Sequence, residues 1–312
     1  MKKRQSIDGL GLFEERYTAF LTTVAHLRPR LHRYCARMTG SLLDGEDVMQ
    51  EALFEAYRKL DAYDDSRALS PWLFRIAHNR CIDFLRRRAV RRKAEAAAPD
   101  TVDNEAVDPP GALDHAVERL VVHLPPKERA CVLLKDVLDF SLEEIAELVG
   151  STVGGVKAAL SRGRGKLAAL PDEPPERPAP DPEALKLLRL YVERFNRRDW
   201  DGVRELTSAD ARLRVGDCFA GRLADSPYFV EYERPIIPWR MAVGEVDGET
   251  AIVILRDDAE RATPFSLVRL EIRDGRIAAI ADFIKCPWVL EAASSIAIEA
   301  LSPRVSFRMR RP

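Results

Sequence analysis

The stretch from Gly150 to Leu167, GSTVGGVKAALSRGRGKL, has the periodicity of a helix and yet holds Gly154, Gly155, Gly163 and Gly165. Each glycine in a helix interior costs roughly 0.5–1 kcal/mol relative to alanine, so the segment needs a reason to keep them. At about 100° per residue, Val153, Val156, Leu160 and Leu167 fall on one side, and Gly154, Ala158, Ser161 and Gly165 on the other. Lys157 and Arg164 border the small-residue face on one edge, Arg162 and Lys166 on the other. A helix with a slim centre and cationic borders can press its backbone close to a nucleic-acid groove while the borders meet phosphates. The plainer alternative is a basic helix end whose glycines serve no purpose. Only Arg162 among the long donors aims at base edges, so tolerant sequence reading is expected, with DNA shape contributing specificity. The GRGK run lacks the upstream glycine and the following Ser/Thr of a phosphate-binding loop.

Working outward, Lys127–Leu138 (KERACVLLKDVL) reads as a helix, Ser141 and Glu144 form a capping box, and a short helix over 145–149 runs into the Gly150-Ser151 turn. Two helices joined by a tight glycine turn make a helix-turn-helix, whose second helix enters a major groove.

The 312 residues predict two or three domains. A net charge of −1 hides a split of +7 over residues 1–93 (19 Lys+Arg, 12 Asp+Glu) and −8 over the rest, which points to a polyanionic partner for the front or to a solvated surface. Cys35, Cys81, Cys131, Cys218 and Cys286 are scattered singly, which favours buried reduced thiols over a metal site. The N-terminus has cations without the apolar run of a secretory signal, and no apolar stretch approaches a membrane span. These features predict a cytoplasmic chain without a membrane partner, a metal or a cofactor.

Two segments divide the sequence: an acidic linker at 94–112 (AEAAAPDTVDNEAVDPPGA) and a Pro-rich linker at 171–182 (PDEPPERPAPDP). They separate pieces at 10–93, 113–170 and 183–290, followed by a C-terminal tail at 291–312 whose last part, LSPRVSFRMRRP, is basic and expected to be mobile. The first two pieces read as all-α. Residues 46–60 place Val48, Met49, Ala52, Leu53, Ala56 and Leu60 on one stripe. Residues 71–88 follow a Ser70-Pro71 helix start and carry Leu73, Ile76, Ala77, Ile82 and Leu85. The third piece opens with helices over 183–196 and 199–207 and then alternates in WRMAVGEV, ETAIVILRD, PFSLVRLEIR and RIAAIADFI. Asp247-Gly248 and Asp274-Gly275 mark hairpins of a curved antiparallel sheet.

The middle piece resembles region 4 of the extracytoplasmic-function (ECF) sigma factors of the sigma-70 family, and two ordered blocks strengthen the likeness. Asp44-Gly-Glu-Asp-Val-Met-Gln-Glu51 is similar to the family's D-x-E-D-x-x-Q-E segment. Trp72-Leu-Phe-Arg-Ile-Ala-His-Asn-Arg80, continuing to Asp83-Phe-Leu-Arg-Arg-Arg88, is similar to its W-L-x-x-I-A-x-N-x-x-x-D-x-x-R-R block. The resemblance implies that Asp44, Asp47, Gln50 and Glu51 bind the clamp helices of the largest subunit of core RNA polymerase. It implies −10 promoter contacts by Trp72, Arg75, Asn79, Arg80, Asp83, Arg86, Arg87 and Arg88, and −35 contacts by Thr152, Gly154, Lys157, Ala158, Ser161, Arg162, Arg164 and Lys166.

The residues agree with this. Asp47, Gln50 and Glu51 stand at i, i+3 and i+4 and project together, as a basic partner or a solvated face would both require. Tyr63, Trp72 and Phe74 beside the arginines suit separated strands, with the base pocket placed on the loop Asp61–Leu69, although Trp72 and Phe74 taken singly suit a core. Asn79 and Asp83 fit polar DNA contacts or internal hydrogen bonds. Ala158 and Ala159 depart from the Ser and Arg of many relatives, which weakens −35 specificity.

Residues 185–207, with the turn Phe195–Trp200, resemble the opening of SnoaL-like, nuclear-transport-factor-like domains. The fold implied is multidomain: two all-α sigma domains, a region 2 helical bundle and a region 4 helix-turn-helix, plus an α+β cone-shaped SnoaL-like domain. By resemblance the extension regulates an alternative sigma factor in cis and admits a small-molecule ligand. The alternative is a helix-turn-helix regulator fused to a ligand-binding or cyclase-like enzymatic domain. His26, His32, His78, His115 and His123 all precede this piece, which leaves Asp282, Asp217, Tyr228, Tyr232 and Cys218 as its chemical candidates. Asp282 is expected at a strand edge facing water.

Overall fold

A computed structural model describes residues 5–64, 66, 68–95, 123–170, 181–216, 218–233, 238–258, 261–299 and 305–308. Nearly all of the 94–112 linker and most of the 171–182 linker fall outside the described residues, as do Asp217, His115 and two positions of the Asp61–Leu69 loop.

Three helices open the chain: α1 (Gln5–Thr39), α2 (Leu42–Arg58) and α3 (Leu69–Glu95). Ser41 caps α2 by accepting the Asp44 amide, and the Val48, Met49, Ala52, Leu53, Ala56 and Leu60 stripe is buried as its spacing predicts. The third helix starts at Leu69, so Ser70 and Pro71 lie inside its first turn, where proline's missing N–H costs nothing. Next come α4 (Pro126–Val132), extended by a π turn over Leu133–Val137, then α5 (Leu142–Leu148) and α6 (Val153–Ala168). The capping box forms in full: Ser141 Oγ accepts the Glu144 amide at 3.1 Å, and Glu144 accepts the Ser141 amide at 2.8 Å.

These six helices share one core. Phe140, beyond the π turn, packs edge-on against Phe74 with centroids 5.1 Å apart. Arg30 donates to the Leu138 carbonyl at 3.0 Å, and buried Arg129 donates to the carbonyls of Met38 and Leu124. Burial pulls the Arg129 guanidinium down to about 10.

The C-terminal part contains α7 (Pro182–Asn196), α8 (Trp200–Glu205), α9 (Tyr228–Glu233), α10 (Pro287–Ala292) and an eight-stranded sheet. Its strands are β1 (Thr207–Val215), β2 (Phe219–Arg222), β3 (Trp239–Val246), β4 (Glu249–Asp258), β5 (Arg261–Arg273), β6 (Arg276–Asp282), β7 (Ser295–Ile298) and β8 (Val305–Arg308), in the order β2-β1-β6-β5-β4-β3-β7-β8. Both Asp-Gly pairs make the expected hairpins, with positive φ at Asp247 and Gly248 and at Asp274 and Gly275. Two sequence expectations are corrected. The sheet is mixed, because β1 runs parallel to β6. Residues 295–298, read as part of a C-terminal tail outside the α+β domain, pair with β3, and Asp247 fixes the entry by accepting the Ser294 and Ser295 amides at 2.8 and 2.7 Å.

Alternation along the strands gives the sheet two unlike faces. Leu213, Met241, Ile252, Ile254, Val268 and Ile280 point to a core closed by α7, α8 and α9. On the other face Val246, Val253, Leu255, Leu267 and Ile296 form a second cluster with α10 and with Ala36, Leu42 and Leu43 of α1 and α2. The sheet is therefore covered on one side by its own helices and on the other by the N-terminal ones.

Gly45 permits the closest approach in the bundle, since a Cβ there would lie 2.4 Å from Ala36 Cα. Gly45→Ala is expected to destabilise the protein by about 2–3 kcal/mol through overpacking, read as a fall in thermal midpoint; an unchanged midpoint would contradict this packing.

Candidate functional site

The outward side of α2 carries the acidic patch, and it meets the sheet. Asp47 receives Arg214 on one oxygen and Arg269 on the other, the latter at 2.5 Å. Arg269 also donates to Asp44 at 2.6 Å, and Arg214 to Gln50 Oε1 at 2.8 Å. The expectation of a patch projecting freely to a partner is thus not met in this conformation: Asp44, Asp47 and Gln50 are taken by basic side chains of the same chain. The carboxylates are not sealed, with side-chain exposures of 25% for Asp44 and 31% for Asp47. Glu51 remains exposed and lies 3.6 Å from Arg87.

Beside the patch, Glu46 is fully buried and its two oxygens are satisfied by Gln50 Nε2 at 2.8 Å and by Trp288 Nε1, from α10, at 2.6 Å. Arg28 lies 5.1 Å over the Trp288 ring. Ser41 Oγ donates to Glu249 at 2.6 Å, tying the α2 cap to the sheet. A buried carboxylate that depends on a second domain for one partner fixes the register of that contact.

Sequence reasoning missed Glu46, Arg214, Glu249, Arg269 and Trp288. Arg214 and Arg269 occupy alternate positions in ARLRV and LVRLEIR, a pattern that reads as a solvated strand face when the covering helix is unknown.

In the −10 block, Trp72 is half-buried against Tyr63 with centroids 4.7 Å apart, and Phe74 is core. Arg75 and Asn79 are exposed, and neither has a partner among the described residues. Arg80 pairs with Glu55 at 2.6 Å, Arg86 with Asp83 at 3.0 Å, and Arg88 donates to the Thr39 carbonyl at 3.5 Å. The partners shown for Arg80 and Arg86 lie within the helical part.

On α6, capped by Thr152, residues Gly154, Lys157, Ala158, Ser161, Arg162, Arg164, Gly165 and Lys166 are all exposed, and Val156 and Leu160 are buried. The cationic borders are largely engaged. Arg162 and Lys166 donate to the two oxygens of Glu128 at 2.9 and 2.8 Å, and Arg164 pairs with Asp136 at 2.5 Å. The hydrogen bonds from Lys166 and Arg162 hold the Glu128 carboxyl below the usual range. Arg162, read as the base-edge donor, is thus tied to α4, and Lys157 is the border cation without a described partner. Two glycines answer to packing: a Cβ at Gly163 would meet Val132 at 3.0 Å, and one at Gly155 would meet Ser151 at 2.6 Å. Ala159 is buried, so the departure from a longer polar residue bears on DNA only at Ala158.

Asp282 is not the water-facing edge carboxylate expected, because its strand turns it to the inner face, where it is 1% exposed. Tyr228 and Tyr232 donate to one oxygen at 2.9 and 2.5 Å, and the Ile284 amide to the other at 2.9 Å. Four cysteines are buried and Cys218 is exposed, and all are unbridged. Among the described residues there is no cluster of His, Cys, Asp and Glu placed to hold a metal, and no helix long and apolar enough to cross a membrane.

The description Sigma-70 region 2 matches residues 23–91, and Sigma-70, region 4 matches residues 114–167. The ECF RNA polymerase sigma factor SigW of Bacillus subtilis is 32% identical over 162 residues, which cover 48% of this chain and 87% of that protein. This chain belongs to the ECF sigma factors. The ECF RNA polymerase sigma factor SigG of Mycobacterium tuberculosis is 33% identical over 228 residues, or 64% of this ECF chain, and the match spans 61% of that relative's length. Among solved structures, the ECF sigma factor SigJ of Mycobacterium tuberculosis aligns over 84% of this chain and 95% of its own, with 18% identity and a TM-score of 0.34.

Burial raises the Asp282 carboxyl above the usual aspartate range, against the opposing pull of Tyr232, the Ile284 amide and Tyr228. A carboxyl raised on folding binds its proton more tightly in the native state. Its contribution to stability is complete below the unfolded value of about 3.9 and is lost as pH rises through the folded pKa. Urea unfolding from pH 4 to pH 7 should therefore show the wild type losing stability relative to Asp282→Asn, and a relative gain would contradict the assignment.

Proposed function

We propose that this chain is an alternative RNA polymerase sigma factor whose C-terminal domain holds it in a polymerase-excluding state. In this reading residues 10–93 serve as region 2, 113–170 as region 4, and the α+β part from 183 onward, including β7, as the regulatory unit. The partners are core RNA polymerase, through the clamp helices of its largest subunit, and promoter DNA. No enzymatic step is assigned to the C-terminal domain, where the carboxylate candidate Asp282 is occupied by three internal donors.

One observation carries the proposal: Arg214 and Arg269 occupy Asp47, Asp44 and Gln50, three of the four residues that the family resemblance gives to polymerase binding. A basic surface of the polymerase and these guanidiniums cannot hold the same carboxylates together. Polymerase binding then requires the sheet to leave α2. The charge-assisted pairs are a quarter to a third exposed, so each is worth about 1 kcal/mol rather than the value of a buried pair. Removing both arginines removes three such pairs and shifts the opening equilibrium by about 100-fold.

The DNA-reading surfaces support a sigma factor over a simple helix-turn-helix repressor. A repressor has no use for the Asp44–Glu51 patch, and Arg75, Asn79 and Lys157 stay exposed while that patch is covered.

The test is run-off transcription and core-binding with sigma-free polymerase on the DNA upstream of the protein's own coding sequence. The Arg214→Ala/Arg269→Ala chain is expected to bind core at least several-fold more tightly than wild type and to support a promoter-dependent transcript. Asp47→Lys/Glu51→Lys is expected to abolish core binding with its helical content intact. No transcript from either the wild-type or the arginine-deleted chain would remove the sigma reading, and core binding by the lysine variant equal to wild type would place the polymerase interface elsewhere.

A further inference from the structure

The sheet face turned toward α2 is not filled where Asp47 enters it. A cleft of about 260 Å³ opens there, with Asp47, Arg212, Arg214, Arg269, Ala279 and Ala281 among its lining. Strand register explains its shape. Arg214, Ala281 and Arg269 stand in one rank across β1, β6 and β5, and Arg212, Ala279 and Glu271 stand in the next. The two alanines make the central strand a low floor between long side chains, with about 10 Å between the flanking strands.

The occupant of this trough is already known by its chemistry, because the Asp47 carboxylate sits between two guanidiniums. Planar guanidinium forks favour a bidentate oxyanion, whether carboxylate or phosphate. Asp47 is one of the residues that line the cleft. Arg212, two residues along β1 on the same face as Arg214, is exposed and has no partner among the described residues, and Glu271 is engaged by Arg273. Burial and the neighbouring Arg269 both lower the Arg214 guanidinium, and a ligand with more than one negative charge can answer Arg214 and Arg269 once Asp47 has left them, while Asp44 stays on Arg269.

We propose that this cleft is a binding site for a small polyanion, bearing phosphoryl or carboxylate groups, which takes the place of Asp47 on Arg214 and Arg269 and is held in addition by Arg212. A ligand bound there competes with α2 for the arginines, and so its binding opposes the closed state. The consequence for transcription rests on the reading of Asp47 as a polymerase contact; the site itself does not.

The test is isothermal titration calorimetry of the full-length chain with sodium pyrophosphate and, separately, sodium citrate, each against sodium chloride of matched ionic strength. At least one polyanion is expected to bind saturably with a stoichiometry of one. Pyrophosphate alone would assign a phosphoryl ligand and citrate alone a polycarboxylate. Arg212→Ala should weaken that binding at least tenfold, and Asp47→Asn, which removes the internal competitor, should strengthen it several-fold. No saturable binding to either wild type or Asp47→Asn would overturn the proposal, as would affinities indifferent to Arg212→Ala. Saturable binding together with unimpaired core binding by Asp47→Lys/Glu51→Lys would keep the cleft and reject the polymerase reading, which separates the two failures.

Discussion

Two guanidiniums in one rank of a β-sheet, on β1 and β5, hold one aspartate of a helix, and the arrangement of the whole molecule follows from that contact. Asp47 is shared between Arg214 and Arg269, and for these groups to meet, the sheet must lie against the first two helices along its whole apolar half. The apolar contact of Leu42 and Leu43 with Val253, Leu267 and Ile296 supplies non-directional attraction. The ion pairs and the Glu46–Trp288 hydrogen bond supply the register, because each has one geometry in which every polar group is satisfied. The division of labour suits a reversible lid: area holds the surfaces together, and half-exposed charges decide which surface is held.

The helical half is closed by its own logic. Region 4 is packed on region 2 through Phe140 on Phe74 and through Arg129, whose charge is buried and answered by main-chain carbonyls. On α6 three of the four border cations, Arg162, Arg164 and Lys166, are neutralised by Glu128 of α4 and Asp136 of its π turn, so they keep their places without being committed to phosphate. Under the proposed DNA-binding role, exchange of the exposed Arg164–Asp136 pair for a phosphate costs little, since surface ion pairs contribute about 0–1 kcal/mol, whereas Arg162 and Lys166 answer the buried Glu128.

The local rules were legible in the sequence because they act over a few residues. The Ser141–Glu144 box, the two Asp-Gly hairpins and the apolar stripe of α2 each depend on spacing alone, and each stands where spacing put it. What escaped depends on partners far along the chain. Arg214 and Arg269 alternate with apolar residues as any solvated strand face does, and only the helix laid across them turns them into a binding site. Gly155 and Gly163 looked like concessions to DNA, but a side chain there would crowd Ser151 and Val132 respectively, whereas Gly154 and Gly165 have room for a Cβ. Asp282 was misplaced because alternation leaves open which face of a strand is inside, and β7 was missed because a four-residue strand after a short helix has too little pattern to announce itself.

The central claim is that the polymerase and the C-terminal sheet use the same face of α2. It is tested most directly by a distance between the two halves of one molecule, measured by pulsed electron spin resonance with labels on exposed Cys218 and on a Leu21→Cys substitution in α1. Binding of core RNA polymerase should replace the single short distance of the free protein by a longer, broader distribution. A distance unchanged in the polymerase complex would show that the sheet stays on α2 while the polymerase is bound, and would contradict the account.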